Sequence, residues 1–394
     1  MTTAGKSPSL PLDPGSDGSP APELVAWLQS KELAEVTMPS GQTALLGVTH
    51  ADAKTILSDP RFSRQLAYAG APTFFPGEDA TTADPDFLAN MPPERHHLVR
   101  RLVSGSFTVR RVNGWRPTAQ RIADELVDEL LASEQPVDFV ASFAFQFPIR
   151  VICEIIGITG EDQKRFRTWT TATFAASGAE FIAYVQDLLA RRRAEPGNDL
   201  IDSLIAARDG ADRLTEPELI RMVLAMIVAG HETTASAIAR GVLTLLRDRR
   251  RYERLIAEPE LIPSVVEEIL RVNPPIETAL LRVATEDVEL PSGRVERGQA
   301  VLASLAGANV DSAVFGEPDE FILDRDPIAA RDHLSFGHGP HFCLGAGVAR
   351  LELEVALSTL TTRLPGLTLE LDPTQTPSVS DNMVRTVAEL PVRW

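Results

Sequence analysis

A mainly helical chain with a small strand-rich part is predicted, and three observations predict it. Apolar residues recur at three- and four-residue spacing over most of the length. One stretch, Glu216–Arg247, is long and nearly apolar in its middle, the pattern of a helix that crosses an interior. Alternation of apolar and polar residues is confined to a few short runs. The 394 residues are 44% hydrophobic and 24% charged. These ordinary globular values exclude a largely disordered chain, a collagen-like fibre and a disulfide scaffold. The length allows two or three domains or one large one. Residues 23–394 show neither a fixed-period repeat nor an internal linker, so a single domain is expected there. Residues 1–22, rich in Ser, Pro, Gly and Asp, are expected to lack fixed structure.

Taken in order, residues 23–31, 51–57 and 119–131 carry helical spacing, and the more continuously apolar 139–156 reads as a buried helix. Residues 162–177 and 180–194 read as two helices broken near Gly178, and 199–208 as a short one ended by Gly210. For Glu216–Arg247, Thr215 is the cap, Pro217 lies in the first turn, and Glu216 and Glu218 sit near the positive end. Residues 263–272 form a helix stopped by Asn273-Pro274-Pro275. A last helical pattern fills Ala346–Arg363. Strands are expected at 43–48 and at 283–290 and 295–302, which flank a Pro291-Ser292-Gly293 turn, with further short extended pieces in 367–394.

The net charge of −17 argues against a nucleic-acid partner. Two cysteines, Cys153 and Cys343, cannot make a zinc-finger ligand set and point to a reducing compartment. The N-terminus lacks the cationic start and apolar run of a secretion signal. The most apolar stretch, 222–230, is too short to span a bilayer and runs into His231 and Glu232. A soluble, cytoplasmic monomer with no membrane partner is therefore expected.

Chemistry concentrates in Phe336-Gly337-His338-Gly339-Pro340-His341-Phe342-Cys343-Leu344-Gly345. Glycines around one cysteine let backbone approach a bulky flat group without Cβ clashes. Cys343 sits just before a helical pattern, where free N–H groups and the helix dipole favour a thiolate. Such a thiolate suits an iron held in a flat macrocycle. A lone cysteine is usually structural and buried. Cys153, inside Val151-Ile152-Cys153-Glu154-Ile155, takes that reading, whereas the surroundings of Cys343 do not.

Three further patterns matter. In Ala229-Gly230-His231-Glu232-Thr233-Thr234, midway along the long helix, small residues leave space beside the helix and an acid adjoins a hydroxyl. Taken alone, such a Thr often bonds back to the carbonyl four residues earlier, and such a Glu pairs with a neighbouring Arg. Glu268 and Arg271 share a helix face three residues apart, and His96 and Arg100 do so at four.

On these motifs the chain resembles the cytochrome P450 family over residues 23–394, most of all its soluble actinobacterial members. The resemblance implies the P450 fold, with heme b between the long central helix and the cysteine loop and Cys343 as its axial thiolate and metal ligand. It places Phe336, Gly337, His341 and Gly345 of the loop, and Ala229 and Gly230 of the helix, at the cofactor. It gives Arg282, His341, His96 and Arg100 to the heme propionates, with His97 as a competing register. It makes Glu232 and Thr233 the catalytic acid and alcohol that guide protons, and Glu268, Arg271 and Arg325 a buried structural triad. Two features depart from the pattern: Val310 stands where relatives usually carry arginine, and 166–194 is short for the two lid helices.

The implied activity is insertion of one oxygen atom from O2 into a C–H or C=C bond of a sizeable apolar substrate. A polyketide, macrolide or terpenoid intermediate of secondary metabolism leads. Electrons would come from a ferredoxin and its reductase, because the chain has no flavin, nicotinamide or iron–sulfur fingerprint. Arg100, Arg101, Arg110, Arg111 and Arg350 are candidates for the docking face, and equally for solvated helix charges. Tyr68, Phe74, Phe75, Phe174, Phe181, Met226, Ile276, Leu280 and Met383 fall where the family lines its pocket, and core packing would equally explain many of them. Two other readings stay open: oxidative coupling or ring formation without net oxygen insertion, and a heme-free relative acting as a partner protein, a kind that loses the cysteine loop.

Overall fold

Caps and stops written into the sequence set where its helices begin and end. A computed structural model describes residues 7–13, 20–77, 84–158, 174–197, 199–209, 214–370 and 383–394. Along the chain run α1 (Pro22–Ser30), β1 (Ala34–Thr37), β2 (Thr43–Gly47), α2 (His50–Ser58), β3 (Phe62–Ser63), α3 (Pro93–Ser104), α4 (Val109–Gly114) and α5 (Arg116–Leu131). Then come β4 (Val137–Asp138), α6 (Gln146–Ile156), α7 (Phe174–Ala194), α8 (Leu200–Asp209), α9 (Glu216–Arg247), α10 (Arg249–Ala257) and α11 (Ile262–Val272). Last are β5 (Arg282–Ala284), β6 (Val288–Leu290), β7 (Gly293–Val295), β8 (Ala300–Ala303), α12 (Leu305–Asn309), α13 (Pro327–Ala330), α14 (Ala346–Arg363), β9 (Thr368–Leu369) and β10 (Pro391–Arg393). The architecture is mainly helical with small sheets.

The chain groups into two compact units. The first takes Met1–Pro85, Arg240–Cys343 and Leu371–Ala388; the second takes Asp86–Ala239, Leu344–Glu370 and Glu389–Trp394. The first is built on a mixed sheet of order β1-β2-β8-β5-β3, in which β2 and β8 run parallel and the other neighbours antiparallel. Residues 7–13, part of the stretch expected to lack structure, are fixed to its edge: Leu10 N–H donates to Thr37 O at 2.8 Å, and Leu10 and Leu12 join the buried cluster with Val36, Leu46 and Leu302. Residues 1–6 and 14–19 lie outside the described residues.

The two strands expected around the 291–293 turn are each broken in two. β6 and β7 form the hairpin, while β5 and β8 join the larger sheet. A turn separates β7 from β8, with Gly298 at φ +88° and Gln299 N–H donating to Glu296 O at 3.1 Å.

In the second unit α5 buries Ala119, Ile122, Ala123, Leu126, Val127 and Leu130, one helical stripe. Gln120 Nε2 donates to Thr359 Oγ1 of α14 at 2.9 Å. α6 ends at Gly157 in the left-handed region (φ +77°), with Ile158 N–H donating to Cys153 O at 2.7 Å. Cys153 is 1% exposed, and burial pushes its thiol up to about 12, which fits the structural reading. α7 runs unbroken through Gly178, contrary to the expected break, and the expected helix over 162–177 falls largely outside the described residues.

α9 begins at a reciprocal cap: Glu218 N–H donates to Thr215 Oγ1 at 3.3 Å, and Thr215 N–H to Glu218 Oε2 at 2.7 Å. The apolar stretch is longer than 222–230. By length and composition α9 could cross a membrane, but 61% of its most apolar window is buried inside the protein, as in a core helix.

Candidate active site

In the first unit the glycine-rich loop needs its glycines for two separate reasons. Gly337 and Gly339 hold φ of +72° and +70°, which L side chains rarely adopt. A Cβ on Gly339 would also lie 3.0 Å from Leu57 O and Ser58 Cα. Cys343 N–H donates to Phe336 O at 2.8 Å, closing the loop on itself. That leaves Cys343 and its neighbour Phe342 exposed.

A buried polar network braces the loop from behind. Glu268 takes Arg271 Nη2 and Nε at 2.8 Å each, Arg325 Nε at 2.9 Å and the backbone N–H of Ile322 at 3.0 Å. Arg271, with no exposed surface, also donates to Asn309 O at 2.9 Å. The Asn309 side chain in turn takes Leu334 N–H at 2.7 Å and donates to Ser335 Oγ at 2.8 Å, next to Phe336. A second buried acid, Glu267, pairs with His333 Nε2 at 3.1 Å.

Arg282 is 5% exposed on β5; one Nη donates to Phe62 O at 3.3 Å, and its buried Nε has no partner among the described residues. Burial lowers its pKa to about 10. A guanidinium desolvated without a carboxylate suits an anionic group brought by a ligand. Arg64 was missed by sequence reasoning. It is 9% exposed, its guanidinium donates to Leu281 O, and the β3–β5 register, Ser63 opposite Val283, runs on toward Arg282. The only signal in the sequence was an arginine directly after a short strand. His341 is half-buried in the loop.

In the second unit α3 settles the register of its histidines: His96 is 3% exposed, while His97 faces solvent. Burial, then the Arg100 and His97 charges, lower His96 to about 4. A carboxylate brought against the ring would push that value back up. In either state His96 can donate a ring N–H. Arg100, one turn on, is half-buried.

On α9, Ala229 is exposed and Gly230 half-buried; a Cβ on Gly230 would meet Ile152 at an ordinary 3.7 Å. His231 Nε2 lies 3.0 Å from Phe145 O, and burial lowers its pKa. Thr233 donates its hydroxyl proton to Ala229 O at 2.7 Å, so its oxygen is left to accept. Glu232 pairs with no described arginine, and burial alone raises its pKa. A second missed residue is Glu352 of α14. It is 2% exposed, hydrogen-bonded to Thr234, and its Oε2 has no partner among the described residues. Its place four residues after Val348 and before Ala356, on the apolar face of its helix, was the readable signal.

Of the expected site residues, Arg282, Phe336, Gly337, His341 and Cys343 belong to the first unit. His96, Arg100, Ala229, Gly230, Glu232, Thr233 and Gly345 belong to the second. Of the residues expected to line a pocket, Phe181 is buried, Tyr68 and Leu280 are largely exposed, and Phe74 and Phe75 pack edge-on at 4.9 Å. The side chain of Phe174 lies outside the described residues.

Comparison with known proteins supplies the remaining findings. Residues 158–390 match the family model described as Cytochrome P450. The chain is 40% identical over 379 residues to a mycinamicin IV hydroxylase/epoxidase of Micromonospora griseorubida, covering 93% of each. It is 41% identical over 370 residues to a nocardicin C N-oxygenase of Nocardia uniformis subsp. tsuyamanensis, covering 91% of this chain and 92% of that one. Among solved structures it matches the mixed-function P450 MycG with a TM-score of 0.88 and 38% identity, over 99% of this chain and 100% of that chain. The LnmA cytochrome P450 hydroxylase of the leinamycin biosynthetic pathway of Streptomyces atroolivaceus matches with a TM-score of 0.88 and 35% identity, over 98% and 100%.

Proposed function

Since this chain belongs to the cytochrome P450 family and is a heme-thiolate monooxygenase, we propose that it oxidises a sizeable apolar intermediate of secondary metabolism by inserting one oxygen atom from O2 into a C–H or C=C bond. The observation that carries the reading is Cys343, exposed on a glycine loop whose own backbone is pinned by the Cys343 N–H to Phe336 O bond. A relative named as a mycinamicin IV hydroxylase/epoxidase and a hydroxylase of the leinamycin biosynthetic pathway support oxygen insertion in secondary metabolism.

The donors on this chain fit heme. Cys343 would hold its iron, and Arg282, with a buried Nε lacking any partner among the described residues, suits a propionate. Arg100, His341 and His96 would add hydrogen bonds to the propionates, and Phe336, Gly337, Gly345, Ala229 and Gly230 would shape the walls. Bound heme supplies the activation of O2, and electron density from a cysteine thiolate favours O–O cleavage. The protein handles protons. Burial strengthens the hold of Glu232 on its proton, as a general acid requires. Thr233, its own proton committed to Ala229 O, accepts a hydrogen bond and so orients a protonated group beside α9. Electrons arrive from a ferredoxin served by a reductase; Arg101, Arg110 and Arg111, all exposed in the second unit, offer it a basic face with Arg100 and Arg350.

The reduced protein under carbon monoxide should show the Soret band of sulfur-ligated heme, and Cys343→Ser should lose it. Wild-type protein that binds no porphyrin, or ligates it through nitrogen, would overturn the reading. A spectral titration with a compound panel should then find the substrate, and product mass checks the reaction: insertion adds one oxygen atom, whereas coupling removes hydrogens.

A further inference from the structure

A cavity of about 530 Å³ lies within the first unit, away from any position assigned above to the heme. Arg240, Thr244 and Arg247 present one face of α9 to it, and Arg251 of α10 and Arg385 add two more guanidiniums. The inner carboxylate, Glu277, is held by Arg385 Nε at 3.1 Å, and the same arginine donates to Leu12 O. Asp319 and Glu320 also line the cavity and are exposed.

Two of the arginines make no ion pair with any described carboxylate. Arg240 donates once, to Pro274 O at 2.9 Å, and burial lowers its pKa against the opposing pull of Glu277. Arg251 donates to Thr244 O at 3.3 Å and lies 5.2 Å over the ring of Phe321. A guanidinium has five donors in a planar fork that matches a carboxylate. For Arg240 only the more distant charge of Glu277 offsets burial, with Arg385 opposing it, so most of the guanidinium's donors stay unmatched. Leu24, Leu46, Phe74, Val272 and Met383 make much of the remaining wall apolar. The volume lies in the range of small-molecule sites, about 300–1,000 Å³.

We propose that this cavity binds a carboxylate carried on an apolar body, the anion gripped by Arg240 and Arg251 and the body held against the apolar wall. The binding chemistry is the same whether the carboxylate belongs to the substrate or to a separate ligand. The inference does not depend on the oxidation reaction.

Decanoate and 1-decanol, which share a chain and differ in charge, are the probes. Calorimetric titration of the heme-loaded protein should give saturable decanoate binding about tenfold or more tighter than 1-decanol. Potassium chloride should weaken the decanoate affinity alone. Arg240→Gln and Arg251→Gln should each weaken decanoate about tenfold and leave 1-decanol unchanged, while Arg250→Gln, an exposed arginine paired with Asp248, should alter neither. If Arg240→Gln fails to fold, the half-buried Arg251 carries the test. A Soret change with the same midpoint assigns the carboxylate to the substrate, and a silent Soret band assigns it to a separate ligand. Equal affinity for the two probes, or decanoate binding unchanged in the arginine variants, would overturn the proposal.

Discussion

One deeply buried glutamate from each unit, Glu268 and Glu352, is held in the opposite state to the other. Glu268 of α11 has no exposed surface and Glu352 of α14 has 2%. Burial raises the pKa of both. At Glu268 it is overcome by the Arg271 hydrogen bonds and charge, the Ile322 N–H and Arg325, so its pKa ends below the usual carboxylate value. At Glu352 a single hydroxyl, Thr234, opposes burial, and the pKa ends well above it. Desolvation acts alike on both; the partners decide whether the group is an anion. The first acid is a structural keystone whose charge is fixed. The second holds its proton more tightly than a free carboxyl and lies against Thr234, next to the proposed proton-handling pair Glu232 and Thr233.

The largest way to break the contrast is Glu268→Gln. It leaves Arg271 and Arg325 buried with no anion between them, and removing one partner of a buried pair costs about 3–5 kcal/mol. Urea unfolding should show that loss, along with poor heme retention. The sign with pH follows from the lowered pKa. Glu268 contributes stability above its unfolded pKa, and that contribution is lost as pH falls through the folded one. The variant should therefore unfold in acid with a shallower pH dependence than the wild type. An equal acid slope in the two proteins would mean that Glu268 is not the ionised partner.

Thr233→Ala tests the other region and should act on chemistry rather than stability. The helix loses only a back-bond to Ala229, so folding and heme content should hold. Product formed per O2 consumed should fall about tenfold or more, read by oxygen electrode against product yield. Unchanged coupling would remove Thr233 from the mechanism.

The same contrast explains what the sequence made legible. α9 and α14 match their expected bounds because the Thr215–Glu218 cap and the glycine loop before Ala346 are local signals. The Glu268–Arg271 pair was readable at three-residue spacing. Its third member, Arg325, lies 57 residues from Glu268 and came only with the family resemblance. α10 went unseen because its charged residues hide a buried face of two side chains, Tyr252 and Leu255. The breaks in the expected strands depend on which sheet each half joins, a tertiary choice that alternation cannot encode. The depth at which His96 is buried was likewise invisible, because it depends on what packs over α3.

Glu352→Gln is the finest test, because the amide copies the size and hydrogen-bonding edge of a neutral acid. At pH 5 the change should be small, within about 0.5 kcal/mol. Above that the sign follows from the raised pKa. A group whose folded pKa exceeds its unfolded value gives its full contribution below the unfolded pKa and loses it as pH rises. Wild-type stability should therefore fall relative to the variant as pH rises above the unfolded value, by at most about 1.4 kcal/mol per pH unit. Urea midpoints at pH 5, 6, 7 and 8 read that slope directly. A variant that is much less stable at pH 5, or that tracks the wild type at every pH, would show that Glu352 is ionised like Glu268, and the contrast between the two buried acids would collapse.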